Sequence, residues 1–164
     1  MGSIESAFIA DARFVDYNGF VNWNPLWYCG FPFHLSYTPL VPFSTVVTHW
    51  LIPAISLPQS YRIVTALAYA FGPATLFLFV KYLTRRESTA FAAAVIYSVA
   101  LMPIYSAVPL GAELIANLNY VPYTLIALTY FGEGPHILGL TVIPLAALAL
   151  AGEVQHAGVD IQPT

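Results

Sequence analysis

From Ile63 to Val80 the chain carries no Asp, Glu, Lys or Arg, and this run approaches the roughly 20 residues a helix needs to cross a bilayer. Lys81, Arg85 and Arg86 stand just beyond it. Charged residues are 8% of the chain and apolar residues 59%. Ordinary soluble domains carry about a quarter charged residues. Those two facts point to an integral membrane protein. The scarcity of Lys and Arg also argues against nucleic-acid binding.

The reading is of an all-α, polytopic helical membrane protein. Three further uncharged runs follow the first: Ser88–Val108, Leu114–Phe131 and Ile137–Ala151. Residues 61–152 are thus expected to form a bundle of about four spans, with 153–164 as a polar tail. Residues 1–60 precede it as a loop region. Within that region Pro39 to Leu57 is uncharged but holds Pro39, Pro42 and Pro53, with Pro58 just beyond. It is expected to form one or two helical pieces lying along the interface or re-entrant, with a full span as the alternative.

Orientation follows from the positive-inside rule. Lys81, Arg85 and Arg86 make the only basic cluster, so the loop at 84–87 is expected in the cytoplasm. Alternation puts Pro109–Glu113 outside, Gly132–Pro135 inside and Glu153–His156 outside. If Pro39–Leu57 does not cross, residues 1–60 are outside as well, and Asp11, Asp16, His34, Tyr37, Glu113, Glu153 and His156 share that face.

The segment Trp23–Pro42, W-N-P-L-W-Y-C-G-F-P-F-H-L-S-Y-T-P-L-V-P, contains no charged residue and many rings. Trp23, Trp27, Tyr28, Phe31 and Phe33 suit a sugar face or a polyprenyl chain; they suit an interfacial aromatic belt equally. Gly30 and Pro32 are expected to set a tight turn that positions them. His34 and Tyr37 could hold a phosphate or sugar hydroxyl, or anchor the interface. Cys29, the one cysteine, reads as a small buried residue. His49 is expected to meet a backbone carbonyl rather than a metal. Asp11 and Asp16 lie on an amphipathic stretch where Ile4, Phe8, Ile9 and Ala12 share a face, which favours solvated charges on an interfacial helix. Glu113 stands at a span boundary, where acids are costly and tend to be functional. A carboxylate beginning a helix is the plainer account.

A short amphipathic helix (Ile4–Val15), Gly19, then W-N-P-L-W-Y-C-G-F-P-F and S-Y-T-P-L resembles the first outer loop of polytopic GT-C-type glycosyltransferases. The nearest resemblance is to the prokaryotic membrane family described as related to 6-pyruvoyl-tetrahydropterin synthase. It implies sugar transfer from a polyprenyl-phosphate-linked donor on the non-cytoplasmic face of a prokaryotic membrane, with a divalent metal possible. It also implies that the Y-x-P-L segment begins a juxtamembrane helix rather than a span. The family's usual acid lies upstream of where this chain starts, which makes Asp11 a poor match for it and implies a fragment lacking its main catalytic acid. Glu113, in L-G-A-E-L-I-A, fits the place of a second acid that would position a metal, phosphate or acceptor. His156, in G-E-V-Q-H-A, resembles a histidine found after a later span. The competing expectations are a transporter with proline-broken helices at Pro73, Pro103, Pro122 and Pro144, and a non-catalytic membrane scaffold.

Overall fold

A computed structural model of the chain describes residues 4–20, 23–25, 29–33, 39–99 and 122–156. The fold is mostly helical. Its elements are α1 (Glu5–Asn18), β1 (Trp23–Asn24), β2 (Phe31–Pro32), α2 (Leu40–Leu51), α3 (Leu57–Thr84), α4 (Glu87–Val99), α5 (Tyr123–Ile126), a π-helical turn (Ala127–Phe131) and α6 (Gly134–His156). They divide between two compact units, one comprising Met1–Ala68 with Ala127–Leu138, the other Tyr69–Ile126 with Gly139–Thr164.

In the first unit α1 packs on α2. Phe8, Ala12 and Val15 recur at helical spacing and are buried. Glu5 sits in the first turn, where the helix dipole favours an acid. The helix stops at Gly19, whose φ of 72° takes it out of the helix while its N–H still reaches the Val15 carbonyl at 2.7 Å. The face of α2 turned inward is Val41, Pro42, Thr45 and Val46. Ala12, Phe14, Val15, Phe33, Val46 and Leu57 form one core cluster, and Phe8, Val41 and Tyr61 a second.

Local chemistry sets the element ends. Pro53 pushes Ile52 out of the helical region (φ −128°, ψ 76°), so α2 ends after 12 residues. At about 18 Å it is too short to cross a hydrocarbon core of about 30 Å as an α-helix. The stretch expected at Pro39–Leu57 is therefore one helix followed by a turn. One half of a capping box restarts the chain: Gln59 Oε1 accepts from the Ser56 backbone N–H at 2.8 Å and from the Ser56 hydroxyl at 2.9 Å.

α3 then runs for 28 residues, about 42 Å, through Pro73. α3 and the stretch Gly134–Glu153 of α6 are long and apolar enough to cross a membrane. They extend beyond the spans expected at Ile63–Val80 and Ile137–Ala151. The runs at Ser88–Val108 and Leu114–Phe131 are described only in part, as α4 and as α5 with the π-helical turn; their remainders lie outside the described residues. In the second unit Ala90 is fully buried and the Tyr97 ring lies against Gly72.

One expectation of orientation is overturned. Alternation put Gly132–Pro135 on the face opposite to the residues before Arg62. Instead the Tyr61 hydroxyl donates to the Gly132 carbonyl at 3.2 Å, and the Ile4 N–H donates to the Phe131 carbonyl at 3.1 Å. The 131–134 segment thus lies at the start of α3, beside α1.

Candidate functional site

The aromatic segment folds as a small hairpin. Trp23 pairs with Pro32 and Asn24 with Phe31, antiparallel. The chain reverses through Cys29 and Gly30, both at positive φ (63° and 98°). Gly30 is required there on two counts. Its φ favours glycine, and a Cβ would stand 2.5 Å from the Trp23 indole nitrogen and 2.7 Å from two ring carbons. The glycine backbone therefore lies against the indole, which stays 55% exposed.

Period-two alternation separates the rings that sequence reading had grouped. Asn24 is buried beside exposed Trp23. Phe33 is buried in the core, its ring 5.6 Å from that of Phe14 and 6.1 Å from that of Phe43. Phe31 packs against the same cluster. Both phenylalanines thus hold the hairpin to α1 and α2 instead of presenting rings to a ligand, whereas Trp23 remains open. Cys29 is a further correction: it is exposed, because the left-handed reversal turns it outward from the hairpin.

Asp11 stands on the same α1 stripe as Phe8, Ala12 and Val15, three or four residues from each of Phe8 and Val15. It is half-buried, not solvated as the amphipathic pattern suggested. Desolvation pushes its carboxyl from 3.8 up to about 6. Asp16 is engaged otherwise, its Oδ1 accepting from the Trp50 indole N–H at 2.8 Å. Trp50 is held in turn by Phe20, edge to face at 5.9 Å. His49 meets a carbonyl, as its apolar setting suggested, with Nδ1 2.8 Å from the Ile55 oxygen.

Sequence reading missed a polar cluster at the same end of the first unit. Arg62 Nε donates to Glu5 Oε1 at 2.9 Å, and His136 Nδ1 lies 2.6 Å from Glu133 Oε2. Tyr61 reaches Gly132 between them. The i,i+3 spacing of Glu133 and His136 at a helix start was a visible signal for one pair. Glu5 and Arg62 lie too far apart in sequence for any local signal.

Among the expected site residues, Asp11 and Trp23 belong to the first unit, linked through Phe14 and Phe33. Trp27, Tyr28, His34, Tyr37 and Glu113 lie outside the described residues. His156 ends α6, whose 23 residues carry it about 33 Å along the axis from Gly134. Among the described residues no group of three His, Cys, Asp or Glu could hold a metal ion, so no step is assigned to one.

The Asp11 carboxyl makes a pH prediction. Its folded pKa exceeds the unfolded one, so the fold holds the proton more tightly than the unfolded chain does. The contribution of Asp11 to stability is greatest below pH 3.8 and falls as pH rises toward about 6, where its loss is nearly complete. Discounted for partial exposure, the loss is about 1 kcal/mol. Asp11→Asn should therefore raise the melting temperature at pH 7.5 and leave it unchanged at pH 3.5. Equal melting curves at pH 7.5 would show that Asp11 is fully hydrated.

The chain matches no family model, no curated protein and no solved structure.

Proposed function

We propose that the chain is part of an integral membrane glycosyltransferase that takes its sugar from a polyprenyl-phosphate donor at the non-cytoplasmic face. The observation that carries this reading is the joining of an open indole, Trp23, to a helix bearing a desolvated acid, Asp11, at the head of a membrane-length helix. An indole with one face on a glycine backbone and the rest exposed offers a platform for a sugar ring. A carboxyl titrating at about 6 is ionised at neutral pH and basic enough to take a hydroxyl proton. In such a step the acceptor oxygen bonds to the anomeric carbon. The bond to the phosphate oxygen breaks, the polyprenyl phosphate leaves, and Asp11 takes the acceptor's proton.

The surface of the first unit supports a membrane setting. α2 is apolar on both sides: Val41 and Val46 face inward, while Leu40, Val47, Trp50 and Leu51 are exposed. A helix too short to span, with tryptophan at its end, suits the plane of the interface. On this reading residues 1–60 and the 131–135 segment sit outside, and the 84–87 loop sits in the cytoplasm.

The test is binding and transfer with the chain in lipid nanodiscs and a radiolabelled polyprenyl-phosphate sugar. Saturable binding is expected, weakened about tenfold by Trp23→Ala through loss of stacking. Asp11→Asn should keep the binding and lower transfer by at least the 10²-fold typical of a lost general base. If no polyprenyl-phosphate sugar binds, the transferase reading is wrong. If Asp11→Asn transfers normally, the acid's assigned role is wrong.

A further inference from the structure

The turn between α3 and α4 holds three cations of unequal availability. Lys81, Arg85 and Arg86 are all exposed. Lys81 is spoken for: its ammonium donates to Glu87 Oε1 at 2.6 Å. That hydrogen bond, and then the ammonium's charge, holds the Glu87 carboxyl below its ordinary range. The one acid at the turn is thereby matched by one base. Arg85 and Arg86 remain, and among the described residues neither guanidinium has a carboxylate partner.

The backbone at Arg85 is unusual as well. Arg85 has φ +56°, in the left-handed region just past the end of α3, where glycine or asparagine is the least strained choice. An arginine kept in such a place signals a use for its side chain. Its guanidinium lies 5.2 Å from the centroid of the Tyr82 ring, which fixes its direction. Arg86 is also held at the backbone. Its N–H donates to Thr84 Oγ1 at 3.3 Å, and its carbonyl accepts from the Ala90 N–H at 3.2 Å. That second bond sets Arg86 immediately before the first turn of α4, whose leading N–H groups have no intrahelical partner and attract anions.

From this placement we infer that the α3–α4 turn binds the phosphate of an anionic phospholipid. Two arginines without a carboxylate partner among the described residues stand side by side at one helix start, and their chemistry is that of a phosphate oxygen site. The apolar flank selects a lipid over free phosphate. Leu78 and Leu83 are exposed just ahead of the turn, and acyl chains attached to the bound phosphate would cover them. The inference rests on α3 crossing the membrane and owes nothing to the sugar-transfer step.

The test is native mass spectrometry of the full chain released from detergent, with phosphatidylglycerol and phosphatidylcholine of matched acyl chains. Retention of phosphatidylglycerol should exceed that of phosphatidylcholine by on the order of tenfold or more. Arg85→Gln with Arg86→Gln should remove the preference, and Arg13→Gln, an exposed arginine of the first unit, should leave it. Arg85→Gly guards against misfolding, since glycine relieves the left-handed backbone; it should fold as well as the parent and still lose most of the preference. Equal retention of the two lipids by the parent chain, a preference surviving the double substitution, or displacement of the lipid by millimolar inorganic phosphate would each overturn the inference. Failure of the membrane reading has a different signature: alkaline carbonate would then strip the chain from vesicles.

Discussion

Gly134→Ala should destabilise the first unit by about 3 kcal/mol, at the upper end of what overpacking costs. A Cβ on Gly134 would stand 2.5 Å from the Tyr61 hydroxyl and 2.6 Å from Thr65 Cγ2. Neither neighbour can step aside easily. Thr65 is buried and β-branched on α3, with its hydroxyl bonded to the Tyr61 carbonyl at 3.0 Å. Tyr61 is buried as well, and its hydroxyl is the group that reaches the Gly132 carbonyl. Moving the ring would break that bond and disturb its stacking on Phe8 at 6.4 Å. The control lies five residues along the same helix. Gly139 has nothing within 4 Å of its would-be Cβ, so Gly139→Ala should be neutral or slightly stabilising through helix propensity. Melting of the two variants in the same detergent decides the matter. Equal melting temperatures would mean that the 131–134 segment does not return to the head of α3.

What could be read beforehand, and what could not, divides along the range of the interactions involved. The start of α3 is written locally: Ser56 and Gln59 at capping-box spacing, with an uncharged run behind them. The end of α2 is local too, because Pro53 restricts the residue before it. The mostly helical character follows from those runs. The return of Gly132 to Tyr61 is not local. It depends on a hydrogen bond between residues 71 apart, and apolar runs of similar length gave no sign of it. The site shows the same division. Density of rings from Trp23 to Phe33 was plain, but their sorting into core and surface required the hairpin register. For Asp11, a place on the stripe of Phe8, Ala12 and Val15 outweighs its charge. An acid at that spacing is drawn into the α1–α2 packing, and the shift in its titration follows.

An effect of similar size concerns the environment of α3. Phe71→Arg should reduce stable membrane integration by about 3 kcal/mol, on the order of a hundredfold. Phe71 stands near the middle of the 28-residue helix and is 57% exposed. It lies on a stripe with Ile63, Leu67 and Leu78, all exposed and all apolar. A soluble helix turns polar residues to the outside and keeps its apolar stripe covered. Here only 22% of the most apolar window of α3 is buried, and for α6 the figure is 28%. Such helices need lipid or further protein against them. In water, exchanging an exposed phenylalanine for arginine away from any packed contact shifts stability by about 0.5 kcal/mol at most. If α3 crosses a bilayer, the same exchange desolvates a permanent charge, and the midpoint of the helix is where a guanidinium would be farthest from either interface. The measurement is the fraction of chain resistant to alkaline extraction, compared with Leu83→Arg near the basic end, where the side chain can reach headgroups and little loss is expected. Unchanged extraction resistance for Phe71→Arg would place that stripe against something other than lipid, and the spanning assignment of α3 would fall with it.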